Sequence, residues 1–330
     1  MRDVNTNEIL EDRIINRVIG NSPAMKSGIK QGDIIYEGKT STSQYIALKS
    51  QTEIIDFIKG VPLNSSIYLK VYRDSESLEI ELVKKEYVAS YITYASNTEK
   101  IVFNKDTSNN VVVQGEKLSE LADDTAYIKF DEFNGDAAIQ FKNALNYAFS
   151  KGKDKIILDL RNNGGGKMDV MLDIASYLIY NGGQKKSAIT ITKYKPYKGK
   201  ERNETYTTSY NNYPKGKLSK IVVLANHNTA SASECLLNAM LYYGSANKDN
   251  NFTKENNLII TKEGGVAKTF GKGIMQTTFE LRTGGAVKLT TAKLYAPNGS
   301  NCIHKIGFTT TEQNSVENSM ALSRAVELLA

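Results

Sequence analysis

Lys155-Ile156-Ile157-Leu158-Asp159-Leu160 is an almost unbroken apolar run that leads into three consecutive glycines, Gly164 to Gly166, and then into a helix. A strand of that kind has no polar face to give to water, so it belongs inside a sheet covered on both sides. The pattern has neighbours on either side. Tyr127-Ile128-Lys129-Phe130 reads as a strand, and the helix over 136–150 that follows puts Ala138, Phe141, Leu145 and Ala148 on one face. A helix over 168–180 follows the glycines, with Met171, Ile174, Ala175 and Leu178 inward. Ile221-Val222-Val223-Leu224-Ala225 is another buried strand, and it too opens a helix. Alternation of this sort builds an α/β domain with a largely covered sheet.

The turns between these elements carry the chemistry. Asn228-Thr229-Ala230-Ser231-Ala232-Ser233-Glu234 presents serine at a helix N-terminus, where free backbone N–H groups favour developing negative charge. Further on, Phe270-Gly271-Lys272-Gly273 holds a lysine between two glycines, which lets another backbone approach closely. A serine beside a neutral lysine is a nucleophile–base pair, and a lysine stays neutral only where it is withdrawn from water and other cations. Taken singly, the serines read equally as N-caps and the lysine as a surface charge. The Gly164–Gly166 turn lacks the Lys-Ser/Thr ending of a phosphate loop and the spaced glycines of a dinucleotide fold. Backbone donors aimed at a developing alkoxide, an oxyanion site, fit it better.

Residues 1–86 form a different, β-rich unit. Arg13 to Ile19 reads as a strand, Pro23 opens a one-turn helix, and Gly32-Asp33 is a tight turn before another strand. Ile54, Ile55 and Ile58 have helical spacing, and Ile67 to Val71 and Leu78 to Leu82 alternate as the arms of a hairpin. The stretch 87–125 mixes polarities, with a candidate strand over Val88 to Tyr94 and a short one over Val111 to Val113, and reads as a linker, able to hinge, and the edge of the core domain that fills 126–330.

The chain of 330 residues is 40% hydrophobic and 24% charged, as in a globular protein with a sizeable core. Its net charge of +6 is scattered without a basic block, so nucleic acid is not an expected partner. Two cysteines and two histidines without metal-type spacing predict neither a disulfide framework nor a metal site, and no cofactor is expected. The polar opening Met1-Arg2-Asp3-Val4-Asn5 does not read as an export signal. The expectation from these residues is a cytosolic chain, or one whose export segment has been removed or lies upstream.

Leu158-Asp159-Leu160-Arg161-Asn162-Asn163-Gly164-Gly165-Gly166, then Thr229-Ala230-Ser231-Ala232-Ser233-Glu234, then Phe270-Gly271-Lys272-Gly273 with Gln276, resemble the carboxyl-terminal processing (tail-specific) proteases in content and order. The Ser-Pro-Ala…Gly-Ile…Gly-Asp-Ile-Ile string of the first 86 residues resembles a PDZ domain, which binds peptide C-termini by strand addition. The carboxylate loop and first strand of such a domain would need more residues before Arg13 than this chain has, so the PDZ-like unit is expected to be N-terminally truncated. The resemblance implies a protease core of the crotonase and Clp spiral type after that unit. It also implies a serine–lysine dyad acting through an acyl-enzyme on proteins near their C-terminal tails. It places the nucleophile on Ser231 rather than Ser233, the base on Lys272, its orienting partner on Gln276, and the oxyanion donors on the N–H groups of Ala232 and Gly165. If Lys272 begins a strand, Gln276 lies on its face four residues on. The resemblance further implies the cell envelope, and it is compatible with a homo-oligomer.

The sequence departs from the family in places. Ser231 and Lys272 are further apart than usual, through a polar run over 247–257 that reads as a surface loop and a Gly-rich insertion over 263–268. The insertion also offers Lys268 as a rival base. His227 lies four residues before Ser231 with no acid partner evident, and it reads as a polar loop residue. Glu234 reads as support for the helix N-terminus. The alternative to a protease is a catalytically silent, PDZ-type peptide-binding adaptor.

Overall fold

The computed structural model describes residues 11–196, 198–246 and 252–330. They divide into two compact units, one ending at Ser90 and the other running from Tyr91 to Ala330.

In the first unit, β1 (Ile34–Thr40), β2 (Ile46–Ala47), β3 (Ser66–Arg73) and β4 (Glu76–Val83) form an antiparallel sheet in the order β2-β1-β3-β4. Ser22 caps the one-turn helix α1 (Pro23–Lys26), and Ser50 caps α2 (Gln51–Gly60), each accepting from the backbone N–H three residues on. Asp74 and Ser75 both take positive φ, which matches the hairpin turn to the strand twist. Ile67, Leu69 and Val71, alternating as expected, bury against Ile35, Leu48 and Ile54. The expected strand over Arg13 to Ile19 is not regular. Ile14 makes one bridge to Ile34, and Ile15 exchanges hydrogen bonds with Gly32 and Asp33.

The second unit is built on a sheet of eight strands. In chain order these are β5 (Ile92–Ala95), β6 (Lys100–Phe103), β7 (Val111–Val112), β8 (Thr125–Phe130), β9 (Lys155–Asp159), β12 (Lys220–Ala225), β13 (Leu258–Thr261) and β16 (Ser315–Val316). Their spatial order is β16-β13-β12-β9-β8-β5-β6-β7, parallel from β16 to β8 and antiparallel beyond. The stretch 91–125 is therefore part of this sheet and not a linker, with Tyr94 and Phe103 among the fully buried side chains. The stretch forms the edge of the core, as expected, and of its short strands only β6 gave no sign in the sequence.

Helices α3 (Ala137–Ser150), α4 (Met168–Leu178) and α5 (Ala232–Ala246) cover one face, and α7 (Ala321–Leu329) covers part of the other. The central strands divide by parity. Ile156, Leu158, Val223 and Ala225 join the large core, while Ile157, Val222 and Leu224 pack with Ala321, Ala325 and Leu329. Of the expected loop over 247–257, residues 247–251 lie outside the described residues, and the rest is not wholly loop: Thr253 caps a one-turn helix α6 (Lys254–Asn257), and Asn257 donates to the Ile221 carbonyl. A second sheet, in the order β11-β10-β15-β14, comprises β10 (Ala188–Tyr194), β11 (Asn203–Thr207), β14 (Ile274–Glu280) and β15 (Ala286–Tyr295).

Asp159, at the end of β9, is a buried charge with a built-in counter-charge. Arg161 contacts it at 2.6 Å and Lys129 at 3.4 Å, and the Tyr127 hydroxyl donates to it. Burial pushes its carboxyl up, but Lys129 and Arg161 outweigh burial and hold it at about 2, below the ordinary 3.8. A carboxyl depressed on folding stabilises the fold above its unfolded value, and that contribution is lost as pH falls through the folded one. Asp159→Asn is expected to cost about 3–5 kcal/mol at pH 7, because it strands two partly buried cations. It should also flatten the loss of stability between about pH 4 and pH 2. Urea unfolding across that range checks both, and an unchanged acid limb would refute the assignment.

Candidate active site

Three loops meet because three parallel strands are neighbours. The Gly-rich turn follows β9, the serine turn follows β12, and the lysine loop follows β13, so all three leave the carboxyl ends of adjoining strands. In sheets of this kind that is where sites assemble. Side-chain amides fasten the first two turns together. Asn162 accepts from Asn226 and Asn228 at 2.8 and 3.1 Å, and its N–H donates to Asn226 Oδ1. Asn163 is fully buried and works in both directions, donating to the Phe130 carbonyl and accepting the Ala230 N–H on its own carbonyl.

Ser231 has φ of +59°, a left-handed conformation that is costly for a residue with a side chain. It sits just before α5, in the N-cap place of a capping box with Glu234. Only half of the box is made: Glu234 Oε2 accepts the Ser231 N–H at 3.1 Å, and among the described residues no hydrogen bond holds the Ser231 hydroxyl. Ser233 is placed otherwise. It is fully buried, and its hydroxyl donates to the Asn163 carbonyl at 3.0 Å.

The Gly-rich turn lies directly against the serine. A Cβ on Gly165 would stand 2.7 Å from the Ala230 oxygen and the Ser231 Cβ, and 2.8 Å from the Ala232 nitrogen. With φ of +99°, only glycine suits that position. Ala232 opens α5, so its N–H has no partner within the helix, and none is found among the other described residues. The Gly165 N–H, expected as the second donor, instead donates to Asn163 Oδ1 at 2.9 Å. An asparagine two residues before a glycine readily closes such a turn on itself.

Lys272 is half-buried and lies two residues before β14, not at the start of a strand. Gln276 is exposed on β14, and no hydrogen bond joins it to Lys272 among the described residues. The lysine loop is held by other means. Glu234, wholly buried, accepts from Thr269 Oγ1 at 2.6 Å, the Gly271 N–H at 2.8 Å and the Lys272 N–H at 2.8 Å. Phe270 N–H donates to the Thr229 carbonyl. From behind, the Thr269 hydroxyl accepts the Phe308 N–H, and Gly271 accepts Lys305 N–H. A Cβ on Gly273 would come within 2.5 Å of the His304 nitrogen, so the glycine after the lysine permits that packing.

His227 does have an acid partner: its Nδ1 pairs with Glu263, from the tight turn over 263–266, and both side chains are largely exposed. Lys268 is half-buried, with no polar contact to Ser231 among the described residues. The Thr229 hydroxyl, which donates to the Leu160 carbonyl, and the buried Asn163 escaped the sequence reading because hydroxyl and amide residues in a turn give no sign of what they bond.

The sequence pattern described as peptidase family S41 matches residues 124–247 and 262–313, more than half of the chain. A Staphylococcus aureus (strain N315) protein named "Probable CtpA-like serine protease" is 28% identical over 280 residues, covering 84% of this chain and 45% of that protein. A protein of the same name from Staphylococcus epidermidis is 30% identical over 278 residues, covering 84% and 46%. The chain thus spans less than half the length of these curated relatives. Among solved structures, a candidate S41 protease of Bacteroides fragilis aligns over 98% of this chain and 78% of its own, with a TM-score of 0.51 and 15% identity. That likeness is one of fold.

Proposed function

Because the chain belongs to peptidase family S41, we propose that it is a serine endopeptidase that cuts proteins near their carboxyl-terminal tails. The observation that carries this reading is the meeting of two loops at the head of α5. A serine hydroxyl without a hydrogen bond stands in a left-handed turn, and the loop bearing Lys272 is hydrogen-bonded to that same turn.

In the proposed reaction Ser231 Oγ attacks the scissile carbonyl carbon while Lys272, as the neutral amine, takes the hydroxyl proton. The carbonyl oxygen becomes an alkoxide beside the free Ala232 N–H, at the positive end of α5. Lys272 then returns the proton to the leaving amine as the C–N bond breaks, which leaves an acyl ester on Ser231. Water, deprotonated by Lys272, hydrolyses that ester and restores the serine. For the Gly165 N–H to serve as the second oxyanion donor, Asn163 would have to release it, and Gln276, exposed on β14, has no defined part in these steps. The PDZ-like unit is proposed to bind the tails of protein or peptide substrates, and the cell envelope is the proposed location.

Labelling with a fluorophosphonate followed by peptide mapping tests the reading. The label is expected on Ser231. Lys272→Ala should slow both labelling and casein cleavage by about a thousandfold, while His227→Ala should leave both within a few-fold. Label on another serine, or loss of activity with His227→Ala and not with Lys272→Ala, would overturn the dyad.

A further inference from the structure

We infer that Glu234 is a positioning residue of the proposed peptidase: its single buried carboxylate holds the Ser231 turn and the Lys272 loop in one fixed relation. The inference rests on the dyad reading above, and its test separates the two.

An acid at the third position of a helix ordinarily reaches back to the N-cap N–H and nothing more. Glu234 does that through Ser231, but its other three donors come from the lysine loop. Oε2 takes the backbone N–H of Ser231 at 3.1 Å and of Lys272 at 2.8 Å, so one atom joins the two proposed dyad residues through their main chains. Oε1 takes the Gly271 N–H at 2.8 Å and the Thr269 hydroxyl at 2.6 Å. The carboxylate is 0% exposed and forms no ion pair among the described residues. A buried charge without a counter-charge is tolerated only when its oxygens are well supplied with donors. Moving either loop would therefore strip donors from a charge that cannot reach water. Two loops that leave different strands are in this way held to one point, and a nucleophile and base misplaced by about 1 Å lose roughly a hundredfold in rate.

The neutral isostere has the right shape and the wrong polarity. In Glu234→Gln, one of the two acceptor atoms becomes an NH2 group that faces N–H donors. With the full chain, casein cleavage is measured as kcat per fluorophosphonate-titrated serine, with KM and the unfolding midpoint alongside. Glu234→Gln is expected to lower kcat per titrated serine by about 10²–10³-fold with KM within about twofold. Thr269→Val, which removes one of the four donors, should lower the same parameter about tenfold, and it decides the matter if Glu234→Gln does not fold. A merely structural role would lower the unfolding midpoint and the titrated fraction while leaving kcat per titrated serine at the wild-type value, and that result overturns the inference. If the wild type is labelled at Ser231 and the variants match it, the nucleophile assignment stands and Glu234 loses this role. A wild-type chain that takes no label ends both.

Discussion

Ser231→Ala should remove proteolysis by about five to six orders of magnitude, while Ser233→Ala should keep most of it. The two hydroxyls are two residues apart and differ in what they do. That of Ser233 is buried and spent on the Asn163 carbonyl, so its loss should cost about 1 kcal/mol of stability with little effect on rate. That of Ser231 is unheld at the mouth of α5, in a backbone conformation normally kept for glycine. Removing the nucleophile of a serine peptidase leaves only binding and oxyanion stabilisation, which is why the expected loss is so large. Casein digestion and burst titration of the two purified variants decide it. A fully active Ser231→Ala protein, with its mass confirmed, ends the assignment.

Gly165→Ala should damage both rate and stability far more than the size of one methyl group suggests. The added methyl group would stand 2.7 Å from the Ala230 oxygen and from the Ser231 Cβ, on a residue with φ of +99°. Backbone strain of about 1–3 kcal/mol comes first. The clash then pushes the serine turn off its place, which should lower kcat by about 10²–10³-fold. Gly183→Ala is the matched control, since Gly183 also has positive φ, +82°, but nothing lies within 4 Å of its added Cβ. That variant should lose about 1 kcal/mol and keep its rate. Equal activity in the two variants would mean that the Gly-rich turn does not hold the serine.

The sequence was legible where one physical rule dominated. The parallel strands β9 and β12 announced themselves because burial on both faces leaves no room for polar residues. Their turns could be placed at the same edge of one sheet once strand–helix alternation was recognised. Of the second sheet only β14 is legible, through the strand considered from Lys272 to Gln276, and the first half of β15 is exposed and gives no apolar alternation to read. The short strands β5 and β6 were partly lost in a stretch of mixed polarity for the related reason that four residues give too little periodicity. At the site, residue types were readable and hydrogen bonds were not. Nothing in the string says that the Gly165 N–H turns inward to Asn163, or that Glu234 reaches the lysine loop as well as the serine. Such choices are made by tertiary packing, at distances of a few tenths of an ångström.

The extra length between Ser231 and Lys272 now reads differently. Helix α5 carries the chain from Ala232 to Ala246, about 22 Å from the serine at 1.5 Å per residue. There Gly244 meets the main chain of Phe252, whose oxygen stands 2.0 Å from where a Cβ would be. The chain that leaves the helix and the chain that returns to the sheet are thus pinned to each other at the end remote from the chemistry. Residues added between Gly244 and Phe252 therefore need not alter the separation of Ser231 and Lys272, whereas the turn over 263–266 lies on the path from β13 to Lys272. Residue count along the backbone is therefore a poor ruler for this pair, and chains of this fold could differ in length between Gly244 and Phe252 with the two loops unmoved.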